Sequence, residues 1–94
     1  MVDIKTATEA AMTFAANVLE PPRNSQLLLE EVELEKLDGR DVWLITLSHP
    51  KAILAPTDTL ASLSGRWRDY KTFTVDADSR TVISMKIREL AHAE

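Results

Sequence analysis

The sequence predicts an α+β domain in which one N-terminal helix packs on a four-stranded antiparallel meander sheet. Three observations predict it: an alanine-rich stripe at helical spacing after Thr6, an Asp38-Gly39 dipeptide between two alternating runs, and a second pair of alternating runs flanking Asp76 to Arg80. The 94 residues leave room for one hydrophobic core, and so for a single domain, 1–94. With 45% hydrophobic and 28% charged residues, the composition is that of an ordinary globular chain. There is no cysteine, so neither a disulfide nor a thiolate zinc site contributes, and the core must supply the stability.

The first element is a helix over about 4–19. Ala7, Ala11, Phe14, Ala15 and Val18 fall at i, i+4, i+7, i+8 and i+11, one face of a 3.6-residue period. Thr6 followed by Glu9 fits a capping box at its start, with Asp3 as the competing start. Pro21 and Pro22 end it near Leu19, because proline lacks the amide hydrogen and drives the preceding residue out of helical angles. Alanine at the contact face lets the helix axis lie close to a sheet.

The runs 27–37 and 41–48 form the first predicted hairpin. Asp-Gly suits a type I′ turn, which needs positive φ at both central residues. Leu37 then faces Arg40, Leu34 opposes Trp43, Val32 opposes Ile45 and Glu30 opposes Leu47. The other face carries Glu31, Glu33 and Glu35 against Thr46, Leu44 and Val42. Residues 49–65, with Pro50 and Pro56, read as a long connection in which Thr57 caps a short turn bearing Leu60 and Leu63.

The runs 66–76 and 81–89 form the second hairpin. A three-residue loop places Trp67, Phe73, Val75, Ile83, Met85 and Ile87 on the core face, and gathers Arg66, Arg68, Tyr70, Lys86 and Arg88 on the other, with Arg68 across from Arg88. A four-residue loop shifts the register by one and mixes the faces. Opposed arginines repel. Either the Glu31, Glu33 and Glu35 face compensates them, or the patch awaits an acidic partner.

The segment from Tyr70 to Ser84, Tyr-Lys-Thr-Phe-Thr-Val-Asp-Ala-Asp-Ser-Arg-Thr-Val-Ile-Ser, resembles the closing hairpin of PepSY-type domains. Those domains have a cystatin-like helix-on-sheet layout, which the whole chain shares in outline. Arg80 stands where that family prefers glycine, so the turn must hold a non-glycine residue in a conformation glycine tolerates best. The resemblance implies a small noncatalytic binding or inhibitory module. PepSY-type domains are usually exported, whereas this chain begins without a basic-then-apolar leader, and a cytoplasmic location is expected.

Chemistry-bearing motifs are few. His49 and His92 lie far apart without Glu-x-x-His or His-x3-His spacing, and His49 before Pro50 reads as a strand-end surface residue, so no metal site is expected. Asp76 and Asp78 resemble the start of a calcium loop, but Thr81 and Ile87 occupy the positions where that loop needs glycine and glutamate. They are read as turn-stabilising aspartates. Two glycines cannot build a phosphate-cradling loop, and no serine sits in a Gly-x-Ser-x-Gly elbow. Catalysis and a cofactor are therefore not expected.

Charge bears on partners. The net charge of −4 disfavours nucleic acid, although Arg66, Trp67, Arg68, Tyr70, Lys71, Lys86 and Arg88 interleave bases and aromatics as single-strand binders do. Residues 1–50 carry nine acids against four bases, an asymmetry expected to pair within the monomer. No apolar run approaches membrane-spanning length. The expected function is a noncatalytic protein-interaction or inhibitory module, with a protein partner or a homodimer, docking through Arg66, Arg68, Tyr70, Lys86 and Arg88. The alternatives are an immunity or antitoxin-type protein neutralising a partner by charge, and a small ligand-binding or hydrolytic domain using the sheet concavity.

Overall fold

The computed structural model describes residues 1–21, 23–50 and 68–88. Helix α1 (Ile4–Val18) lies on a sheet of β1 (Leu28–Leu37), β2 (Arg40–Pro50), β3 (Arg68–Asp76) and β4 (Val82–Arg88), all antiparallel in the order β1-β2-β3-β4. The α+β class and the meander are as the sequence predicts.

The helix begins at Asp3 rather than in a Thr6–Glu9 capping box. The Asp3 carboxylate accepts from the Thr6 amide at 2.8 Å, filling one of the backbone donors a helix start leaves unpaired. Ala7, Ala11, Ala15 and Leu19 form a row at four-residue spacing, all buried against Ile45, Leu47, Phe73 and Val75. Phe14 meets Phe73 edge-on, with ring centroids 6.1 Å apart at 75°, a favourable arrangement of ring quadrupoles. Val18, expected on this stripe, is exposed instead. The entry to the helix is tied down twice: the Val2 amide donates to the Ala77 carbonyl, and the Trp43 indole N–H donates to the Val2 carbonyl at 3.1 Å.

The first hairpin has the predicted turn and most of its predicted register. Asp38 and Gly39 both take positive φ, 51° and 82°, and Leu37↔Arg40, Leu34↔Trp43, Val32↔Ile45, Glu35↔Val42, Glu33↔Leu44 and Glu31↔Thr46 all pair. The match fails at Glu30. A bulge there sets Leu29, not Glu30, opposite Leu47, and the Glu30 carboxylate turns to accept from the Ser48 hydroxyl at 2.7 Å. Strand β2 also runs through His49 and Pro50, so these two residues belong to the sheet rather than to the connection. The remaining features placed on that connection (Thr57, Leu60 and Leu63), together with Arg66, Trp67 and His92, lie outside the described residues.

The second hairpin pairs two residues away from the Arg68–Arg88 register: Tyr70 opposes Arg88 and Phe73 opposes Met85. An even shift keeps side chains on their faces, so Met85 still packs on the core. A bulge beside Val75 then brings Val82 opposite it and bypasses Ile83. Ile83 and Ile87, both expected in the core, are exposed, Ile87 at 74% because β4 is an edge strand. The turn is held by Asp76, whose carboxylate accepts from the Asp78 and Ser79 amides at 2.8 and 3.0 Å and from the Arg40 guanidinium at 2.8 Å. Those bonds, the Ser79 and Asp78 amides first, hold the Asp76 carboxyl below the usual carboxylate range. Arg80 adopts φ 67°, the left-handed conformation its position demands.

Candidate functional site

Alternation decides what the sheet face turned away from α1 carries. In β1 it carries Glu31, Glu33 and Glu35; in β2 Leu44, Thr46 and Ser48; in β3 Arg68, Tyr70 and Thr72; in β4 Lys86 and Arg88. The face is therefore graded, acidic along the β1 edge and basic along the β4 edge, with Arg68 on β3 between them.

Of the five residues expected to dock a partner, Arg68, Tyr70, Lys86 and Arg88 share this face, and Arg66 lies outside the described residues. They do not play equal parts. Arg68 is spent internally: its Nε donates to the Ser48 hydroxyl at 2.8 Å, one Nη donates to the Ser48 carbonyl at 2.9 Å and to the Gln26 carbonyl. It clamps the approach to β1 onto β2. Arg88 reaches across to β2 and β1, donating to the Thr46 hydroxyl at 3.2 Å and ion-pairing with Glu31. Thr46 and Thr72 share a hydrogen bond of 3.0 Å beneath it. The glutamate edge thus compensates Arg88 within the monomer. A hollow of about 240 Å³ remains, lined by Glu31, Glu33, Leu44, Thr46, Thr72 and Arg88. Lys86 and Glu33, both exposed, have no ion pair among the described residues.

The helix-covered face holds a polar cluster that sequence reasoning missed. His49 is 1% exposed and Lys71 8%, on the same face as Leu47 and Phe73 but beyond the end of α1. Lys71 Nζ lies 3.0 Å from His49 Nε2, and His49 Nδ1 lies 2.8 Å from the Pro50 carbonyl. A carbonyl only accepts, so Nδ1 carries the proton and Nε2 accepts from the Lys71 ammonium. Burial pushes both groups toward their neutral forms: His49 falls below its ordinary value, the Pro50 carbonyl opposing and Lys71 adding to the fall, and Lys71 falls likewise, with Asp69 opposing. The available signal was parity. Phe73 and Val75 on the core face place Lys71 there too, and Ile45 and Leu47 do the same for His49.

Among the described residues no group of three or more His, Asp or Glu side chains is placed to hold a metal ion, and no helix is long and apolar enough to cross a membrane. No protein-family model matches the chain, and comparisons with curated proteins and with solved structures give no match.

Proposed function

We propose that the chain is a noncatalytic protein-interaction module whose partner docks on the charged face of the sheet turned away from α1. The observation that carries this reading is the division of labour on that face. Arg68 and Arg88 are held by hydrogen bonds and ion pairing, while Lys86 and Glu33 stand exposed near opposite edges with no ion pair among the described residues. A fixed polar floor flanked by two uncommitted opposite charges favours a partner that presents an acid over β4 and a base over β1, because complementary charges set register and speed encounter. The resemblance of Tyr70 to Ser84 to PepSY-type domains supports the same class of role.

The structure refines which residues test it. Arg68 clamps strands together, so its loss disturbs the scaffold as well as any docking. Lys86→Glu combined with Glu33→Lys swaps the two exposed charges and leaves every hydrogen bond described above in place. Binding of the partner recovered with the wild-type chain is expected to fall at least tenfold in this double variant and to be unchanged in Lys5→Glu, on the helix. Equal binding by all three removes this face as the docking surface.

A further inference from the structure

Between the flank of α1 and the turn of the closing hairpin lies a cleft of about 550 Å³. One wall is a helix stripe running beside the buried alanine row, from Thr6 through Glu9 and Thr13 to Asn17, and the other wall is Ser79 and Arg80. Ala10, Phe14 and Val82 make an apolar floor, and all three pack against the core. The two walls are tied together. The Val2 amide donates to the Ala77 carbonyl at 2.6 Å, which joins the helix entry to the turn, and the Asp76 carboxylate holds that turn through the Asp78 and Ser79 amides. A concave site of this volume, apolar at its base with a few polar groups around it, is the usual form of a small-ligand site.

The rim carries one acid and one base, on opposite walls. Glu9 and Arg80 are both exposed, and among the described residues neither has an ion pair. They share the cleft without closing on each other, so each is available to a ligand group of opposite sign. Arg80 carries a second mark. It holds φ 67°, in the left-handed region where only glycine is at ease. The first hairpin meets the same demand with Gly39, at φ 82°, whereas the second meets it with a guanidinium at the edge of the cleft. Backbone strain retained at a residue that lines a cavity points to a use for its side chain. A guanidinium suits a carboxylate, because its fork matches two oxygens.

We propose that this cleft binds a small zwitterion with an apolar body, an α-amino acid or dipeptide with apolar side chains. Its carboxylate pairs with Arg80, its ammonium with Glu9, and its side chain covers Phe14 and Val82. The site lies on the helix side of the sheet, away from the charged face on which a partner is proposed to dock, and stands whether or not a protein docks there.

The test is an NMR titration of the full chain with leucine and with leucyl-leucine, against N-acetyl-leucine and leucinamide, which each lack one of the two charges, at matched ionic strength. Saturable shifts are expected at the Thr13, Ser79 and Arg80 amides, with half-saturation at or below about 10 mM for the better zwitterion and about fivefold weaker binding of each singly charged analogue. Arg80→Gly is expected to lose the preference for leucine over leucinamide while melting no lower than the wild type, so that loss of binding is not loss of fold. Glu9→Gln is expected to lose the preference for leucine over N-acetyl-leucine. Lys86→Glu is expected to bind as the wild type does. Shifts that do not saturate with either zwitterion, equal binding of the singly charged analogues by the wild type, or unchanged preference in Arg80→Gly overturn the proposal.

Discussion

The edge-on contact between Phe14 and Phe73 is where the docking of the helix on the sheet can be measured as an energy. Phe73 is 1% exposed at the centre of β3, so Phe73→Ala is expected to cost about 3–5 kcal/mol through lost burial and the cavity left behind. A domain of this size has on the order of 5–15 kcal/mol in total, so that variant sits close to unfolding. The milder pair Phe14→Leu and Phe73→Leu keeps an apolar side chain at each position and removes only the ring. The centroid separation of 6.1 Å and the 75° angle fall in the range where such pairs contribute about 0.5–1.5 kcal/mol beyond burial. In a double-mutant cycle by urea denaturation, each single variant loses that coupling, and the double variant loses it once. The two single costs are therefore expected to exceed the double cost by about 0.5–1.5 kcal/mol. Costs that add within about 0.3 kcal/mol would show that the rings do not touch in solution and would refute the helix placement.

Four further outcomes follow from local geometry. Asp3→Ala removes the acceptor at the helix start and is expected to lower Tm by about 4–8 °C, read by calorimetry. Gly39 has φ 82° with open space around its added Cβ, so Gly39→Ala costs about 1 kcal/mol by backbone strain alone, while Arg80→Gly, relieving φ 67°, raises stability by up to about 1 kcal/mol in chemical denaturation. For pH dependence, the unfolded chain holds the His49 proton up to 6.5 and the folded chain releases it lower. The unfolded state thus binds more protons below 6.5, and stability rises with pH through that window, with the same sign for Lys71 below 10.5; His49→Phe is expected to flatten the acid slope. Asp3 and Asp76 shift stability in the same direction for a different reason: both carboxyls are held below 3.8, by the Thr6 and the Ser79 amides respectively, so their stabilisation is present above 3.8 and is lost as pH falls through the lower folded values. Acid titrations of Asp3→Asn and Asp76→Asn read it.

The elements legible in the sequence were those that a turn or a period pins. Asp38-Gly39 admits one tight turn, and alternation carries the register outward from it as far as Glu31. The Glu30 bulge was not legible, because a glutamate beside other glutamates gives no parity signal, and what it gains, the Ser48 hydroxyl, comes from the partner strand. The closing hairpin has no glycine to fix its loop. Its register slipped by two, which spared the faces but moved Arg88 from Arg68 to Tyr70 and over the threonines to Glu31. Four of the five residues expected to dock a partner reached the expected face, yet their contacts depend on reach across three strands, which neighbour rules do not contain. His49 and Lys71 stood at core parity, but their polarity argued for the surface. Only the structure shows that each is the other's hydrogen-bond partner.

Helix α1 covers the sheet face that carries Ile45, Leu47, Phe73 and Val75, not the face that carries Thr46 and Thr72. Side-chain NOEs measure this directly. The Phe14 ring is expected to show NOEs to the Phe73 ring, and no side chain of α1 to the Thr46 or Thr72 methyls. NOEs from α1 to those threonines, with none between the two rings, would contradict it.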